Sequence, residues 1–159
     1  MSISDVIVVM KLGVVQQVGK PQEVYDNPTN LFVAKFLGTP PINVFEGEVK
    51  AGKLYLGGAP VLDVPGVDDR EVFVGIRPEG FIPVADGVLE TKLNNVEVMG
   101  RDVSIVSTHV SSLNPVIRSI VDADYKIDRD AETVKFNLKP HKVFLFDKET
   151  EARLYFEVN

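Results

Sequence analysis

The chain has 159 residues, of which 45% are apolar and 25% charged, with a net charge of −6 and no cysteine. That is the composition of a globular protein with one good core or two small ones. It excludes a disulfide framework, and no apolar run approaches the roughly 18 residues that span a bilayer. Residues 1–43 balance Asp5, Glu23 and Asp26 against Lys11, Lys20 and Lys35, so the whole acidic excess lies in 44–159. With no Lys or Arg cluster to offset it, such a domain repels phosphate backbones, and nucleic acid is not expected as a partner. Val6–Met10 is too short for a secretory apolar region and is flanked by Asp5, so the chain reads as cytoplasmic.

Residues 1–43 form a short α/β piece in this reading. Val6 to Met10 is an unbroken apolar run, the pattern of a strand buried on both faces, and Lys11-Leu12-Gly13 turns it into a second strand over Val14 to Val18. Pro21 suits a first helical position and predicts a short helix over 21–27. A second helix starts at Thr29 or Asn30 as N-cap, carries Leu31, Phe32, Ala34, Lys35 and Phe36, and stops at Gly38. Thr39-Pro40-Pro41 cannot continue it, which places a domain boundary at 43/44.

From Val44 the pattern changes to short strands between close turns. Val44 to Lys50 and Lys53 to Leu56 flank Ala51-Gly52 as a hairpin, and Gly57 to Pro60 and Pro65 to Asp69 read as turns. Later strands are predicted over 71–76, 92–99, 103–110, 115–121, 133–138 and 142–146, with Val134, Phe136 and Leu138 facing inward. The fold class is mainly β: a small barrel or sandwich over 44–159, of the five-stranded oligomer-binding type or a tandem pair of such barrels, preceded by the α/β piece 1–43.

Catalytic signals are weak throughout. There is no Gly-x-x-x-x-Gly-Lys-Ser/Thr phosphate loop and no Gly-x-Ser-x-Gly elbow near Ser104, Ser107, Ser111 or Ser112. His109 and His141 lack metal-ligand spacing, and Asp122, Asp124, Asp128 and Asp130 lack the glycine and terminal glutamate of a calcium loop. No catalytic, cofactor-binding or metal residue is assigned. The one string that stands out is Gly75-Ile76-Arg77-Pro78-Glu79, in which a proline of fixed φ ends a strand between opposite charges.

Together these stretches carry a resemblance. Ser4 to Met10, Gly13 to Gly19, Pro21 to Pro28 and Asn30 to Gly38, through Pro41-Ile42-Asn43, resemble the end of the nucleotide-binding domain of ATP-binding-cassette importer ATPases. The likeness is to the subfamily that energises uptake of maltose, other oligosaccharides and glycerol phosphate. Gly75 to Glu79 is similar to the hallmark of the transport-associated regulatory domain that follows in that family, and Lys139 to Thr150 to its closing strand and turn.

The resemblance implies a non-catalytic regulatory and dimerisation domain, a fragment lacking the family's ATP-handling motifs. ATP and Mg²⁺ would belong to a full-length parent, and no cofactor to this fragment. Implied partners are a second copy, the membrane-spanning subunits and a regulatory protein, at the inner face of the cell membrane. Gly75, Ile76, Arg77, Pro78 and Glu79 are the expected interface or regulatory residues, with Arg77 and Glu79 on a self-complementary two-fold patch. Gly80 stands where the family often has histidine or aspartate. The remainder of the parent would normally cover Val8, Phe32 and Phe36, so exposure is expected there. The alternative reading is a small-ligand module for oxyanions, as related barrels are; it requires a basic pocket.

Overall fold

The computed structural model describes residues 5–125 and 127–158. It opens with an antiparallel hairpin, β1 (Ile7–Lys11) and β2 (Val14–Gly19), followed by two six-residue helices, α1 (Pro21–Asp26) and α2 (Leu31–Phe36). Pro21 occupies the start of α1, and the Asn30 side chain caps α2 by accepting a bond from the Val33 N–H at 2.9 Å. Helices this short are not stable alone in water and depend on what they pack against. Val24 and Val33 close on Val9 of the hairpin, while Leu31 and Ala34 of α2 pack with Ile42, Val44, Phe144 and Phe146 of the β structure.

The β structure contains two antiparallel sheets. One holds β3 (Asn43–Lys50), β4 (Lys53–Leu56), β5 (Ala59–Asp63), β6 (Arg70–Ile76), β12 (Val143–Asp147) and β13 (Arg153–Leu154), in the order β13-β12-β6-β3-β4-β5. The other holds β7 (Phe81–Pro83), β8 (Leu89–Met99), β9 (Asp102–Thr108), β10 (Ile117–Asp122) and β11 (Thr133–Leu138), in the order β10-β9-β8-β11-β7. Both feed one core: Phe45, Leu54, Val74 and Ile76 meet Leu89, Ile105, Ile117 and Phe136. Phe81 and Phe136 stand edge-to-face at 5.1 Å. Phe136 and Leu138 are buried and Val134 packs against the core, as the alternation in that strand requires.

Asn43 joins the two sheets. Its side-chain amide donates to the carbonyls of Ile76 (3.2 Å) and Arg118 (3.0 Å), and its side-chain oxygen accepts from the Arg118 N–H at 3.0 Å. The 109–114 segment then lies along the first half of β3: Glu46 N–H donates to Ser111 O, Leu113 N–H to Val44 O, and Val44 N–H to the Asn114 side chain. These bonds nearly close the sheets into a barrel.

Two local readings change and two turns form as expected. The 6–10 run is not buried on both faces: among the residues of β1 only Val9 is buried, and Val8 and Met10 are about half exposed, because the helices cover one face alone. Ala59 and Pro60 belong to β5 rather than to a turn, and Pro60 is tolerated because β5 is an edge strand. The pairs Leu12-Gly13 and Ala51-Gly52 do form tight turns, with positive φ at both residues (50° and 80°; 50° and 75°), the geometry that suits strand twist.

Asn43→Ala leaves a part-buried N–H and C=O of Arg118 without their Asn43 partner across the sheet junction. We expect a loss of about 1–3 kcal/mol in urea unfolding, with the m-value unchanged.

Candidate functional site at the helix–barrel seam

Arg77 ends β6, extended (φ −62°, ψ 149°) as the residue before a proline must be, and the 3-10 turn Pro78–Gly80 follows. The backbone there aims the side chain away from the barrel core, under α1 and α2. It is 1% exposed. Its Nη1 donates to Ala34 O (2.9 Å) and Leu37 O (3.0 Å) and its Nη2 to Tyr25 O (2.7 Å). All three acceptors lie at the C-terminal ends of α1 and α2, where carbonyls lack intrahelical donors and the helix dipole is negative. One guanidinium therefore caps both helices.

The Tyr25 ring lies 3.9 Å from the guanidinium centre, a cation–π contact in a desolvated place. The Tyr25 hydroxyl donates to the Glu79 carboxylate, at 2.7 Å to Oε2 and 3.0 Å to Oε1. Lys142 approaches the same carboxylate at 3.5 Å and Asp26 at 4.0 Å.

Burial, and next the Glu79 bond, push the Tyr25 phenol well above its ordinary pKa, so it remains a donor at neutral pH. Burial lowers the Arg77 pKa, and the charges of Tyr25 and Glu79 oppose that. For Glu79 burial acts to raise the pKa, but its backbone bond, the Tyr25 hydroxyl and Lys142 outweigh it and hold the carboxyl below its usual range.

The remaining hallmark residues divide by the pleat. Ile76 faces the core. Gly75 faces the helices, where a Cβ would meet Ile42 Cδ1 at 2.8 Å, so only glycine lets the incoming linker cross. Pro78 is buried in the turn, and Glu79 keeps an exposed edge. At Gly80 a Cβ would stand 2.8 Å from Lys142 Cβ, so in this chain a larger residue would displace a member of the cluster.

Arg77, expected with Glu79 on a self-complementary two-fold patch, here spends its side chain on the chain's own helix ends. Tyr25 and Lys142 were not singled out from the sequence. The available signal was the resemblance itself, whose densest stretches (4–43, 74–79 and 139–150) supply Tyr25, Arg77 with Glu79, and Lys142, and converge here.

Other candidates are local. His109 Nδ1 accepts from the Ser111 N–H at 3.0 Å, with the ring edge-on to Phe45, and burial lowers its pKa. The Asp122 and Asp128 side chains accept from the backbone N–H of Asp124 and Asp130 in their own turns. His141 is at the rim of a groove beside the seam.

No protein-family model matches the chain. It is 34% identical over 158 residues to an sn-glycerol-3-phosphate import ATP-binding protein of Jannaschia sp. (strain CCS1), covering 97% of this chain and 43% of that protein. The chain is homologous to part of an importer ATP-binding subunit. An oligosaccharides import ATP-binding protein of Bacillus subtilis (strain 168) is 35% identical over 166 residues, covering 93% of this chain and 44% of the relative. A sulfoquinovosyl glycerol transport ATP-binding protein of Agrobacterium fabrum (strain C58 / ATCC 33970) is 30% identical over 165 residues, covering 98% and 45%. The chain thus spans less than half the length of these curated relatives. Among the described residues no helix is long and apolar enough to cross a membrane.

Arg77→Ala removes the donor from three helix-end carbonyls, and we expect a loss of about 3–5 kcal/mol in urea unfolding, with Arg77→Lys between it and wild type. Glu79 has a depressed folded pKa, so its contribution is present above the unfolded carboxyl value, roughly 4.3, and is lost as pH falls through the folded value. Glu79→Gln should therefore flatten the stability profile below about pH 4.5 in acid unfolding scans.

Proposed function

We propose that the chain forms the C-terminal regulatory β domain of the ATP-binding subunit of an importer for sugars, oligosaccharides or glycerol phosphate. The observation that carries this is the similarity to such subunits along 97% of the chain, together with the largely β architecture. In this reading the chain performs no chemistry of its own. Catalysis, with its ATP and Mg²⁺, belongs to the rest of the subunit. The assembly works from the cytoplasmic face of the membrane against the membrane-spanning subunits and pairs as a homodimer through the β domain.

The hairpin supports the first part of the proposal. Val8, Met10, Leu12, Val14, Val15 and Val18 all expose at least half of their surface, and Phe36 lies exposed at 58%. Val8 pairs with Val18 and Met10 with Val15 across the hairpin, and an exposed apolar face of this kind suits burial against another protein body. We assign it to the nucleotide-binding remainder of such a subunit, which accounts for the greater length of the relatives. The Arg77–Tyr25 cluster then ties that portion firmly to the β domain. A regulator docking on either would act on both, because the seam between them is packed and bonded rather than a loose linker.

Light scattering across a concentration series tests the homodimer. A stable two-fold mass is expected, and a monomer at every concentration would overturn that part. A dimer that Leu12→Glu plus Val14→Glu dissolves would place the contact on the hairpin instead of the β domain.

A further inference from the structure

Arg153 is a half-buried cation, and among the described residues it has no acidic partner. Its backbone N–H donates to Thr29 O (3.0 Å) and its Nη1 to Pro28 O (2.9 Å), which fixes the side chain against the loop between α1 and α2. Its guanidinium centre lies 4.6 Å from the ring centres of both Phe144 and Tyr155. Nε is buried without a partner, whereas Nη2 is neither bonded to a described residue nor among the buried unpartnered atoms. Burial alone lowers the Arg153 pKa, and no described carboxylate contributes to the balance.

Arg153 lines a groove of roughly 550 Å³ at the seam, formed with Asp26 and Asn27 from the end of α1 and His141 and Lys142 from the turn before β12. Asp26 is the acid in the groove, and Lys142 approaches both it (4.0 Å) and Glu79 (3.5 Å), so Lys142 and Arg77 together balance these two carboxylates. The uncompensated charge is the Arg153 guanidinium, with His141 lining the same groove, in a chain whose net charge is −6.

We propose that this groove is a binding site for a small oxyanion, a carboxylate or phosphate group, held by the free edge of Arg153. A guanidinium already fixed by one bond and two ring faces loses little freedom on binding, and its planar donors fit an oxyanion. The buried Phe144 ring against the guanidinium lowers the local dielectric on that side and strengthens the attraction. Asn27 and Arg153 belong to opposite sides of the seam, so an anion between them also bridges the helices to the β domain. The proposal stands independently of the importer reading.

The test is a titration of ¹⁵N-labelled protein with inorganic phosphate and, separately, acetate, at constant ionic strength. Saturable shifts confined to Asn27, His141 and the Arg153 Nε–H are expected. The more tightly bound anion identifies the ligand as phosphate- or carboxylate-bearing. Arg153→Gln should weaken binding at least tenfold, and Lys92→Gln, on the far sheet, should leave it unchanged. If Arg153→Gln does not fold, Arg153→Lys keeps the charge without the planar fork and should bind several-fold more weakly. Linear, chloride-like shifts for both anions, or an unchanged affinity in the Arg153 variant that folds, would overturn the proposal.

Discussion

A guanidinium taken almost wholly out of water must find acceptors for its protons, and Arg77 finds them on the main chain rather than on a carboxylate. Carbonyls at the C-terminal ends of two helices are suitable, because they are unpaired within the helix and carry the negative end of the dipole. The exchange is mutual. Without the arginine, α1 and α2 would bury unsatisfied carbonyls, and without the helices the arginine would be a buried charge with nothing to meet. Six-residue helices have too little propensity to persist otherwise, so the entire 21–37 segment rests on this contact and on its apolar underside.

The barrel makes that contact possible by fixing the end of β6. Gly75 lets Ile42 lie against the strand, Asn43 begins β3 and clips the second sheet, and Pro78 sets the direction of the turn. Segments distant in sequence are therefore locked into one geometry by a few close approaches. Tyr25, Glu79 and Lys142 reinforce it: the phenol stacks on the guanidinium while donating to the carboxylate, and the ammonium offsets the remaining charge. Such a cluster is worth most when complete, since each member satisfies another in a place of low dielectric.

Two kinds of surface surround this seam. On one side the hairpin exposes apolar residues that only another protein body would cover. On the other lies the small groove beside Arg153, lined by both polar and aromatic side chains. The seam thus stands between a face suited to a large partner and a pocket suited to a small anion. A rigid connection between them gives a physical route by which events on one side alter the other.

The sequence by itself determined the mainly β class, the two short helices and most strand positions, because period-two alternation, a proline at a helix start and turn pairs such as Ala51-Gly52 are local signals. It also marked Gly75 to Glu79 as unusual. The strands β5, β7 and β13 escaped because they are short or carry proline, and their pairing comes from neighbours in space. The 6–10 run was legible as a strand but not as half exposed, since apolar content does not say whether a second layer is present. Only the tertiary structure decided where Arg77 points and which residues answer it. Tyr25 lies 52 positions before it and Lys142 far beyond, and no local periodicity encodes a contact that exists only once the barrel closes.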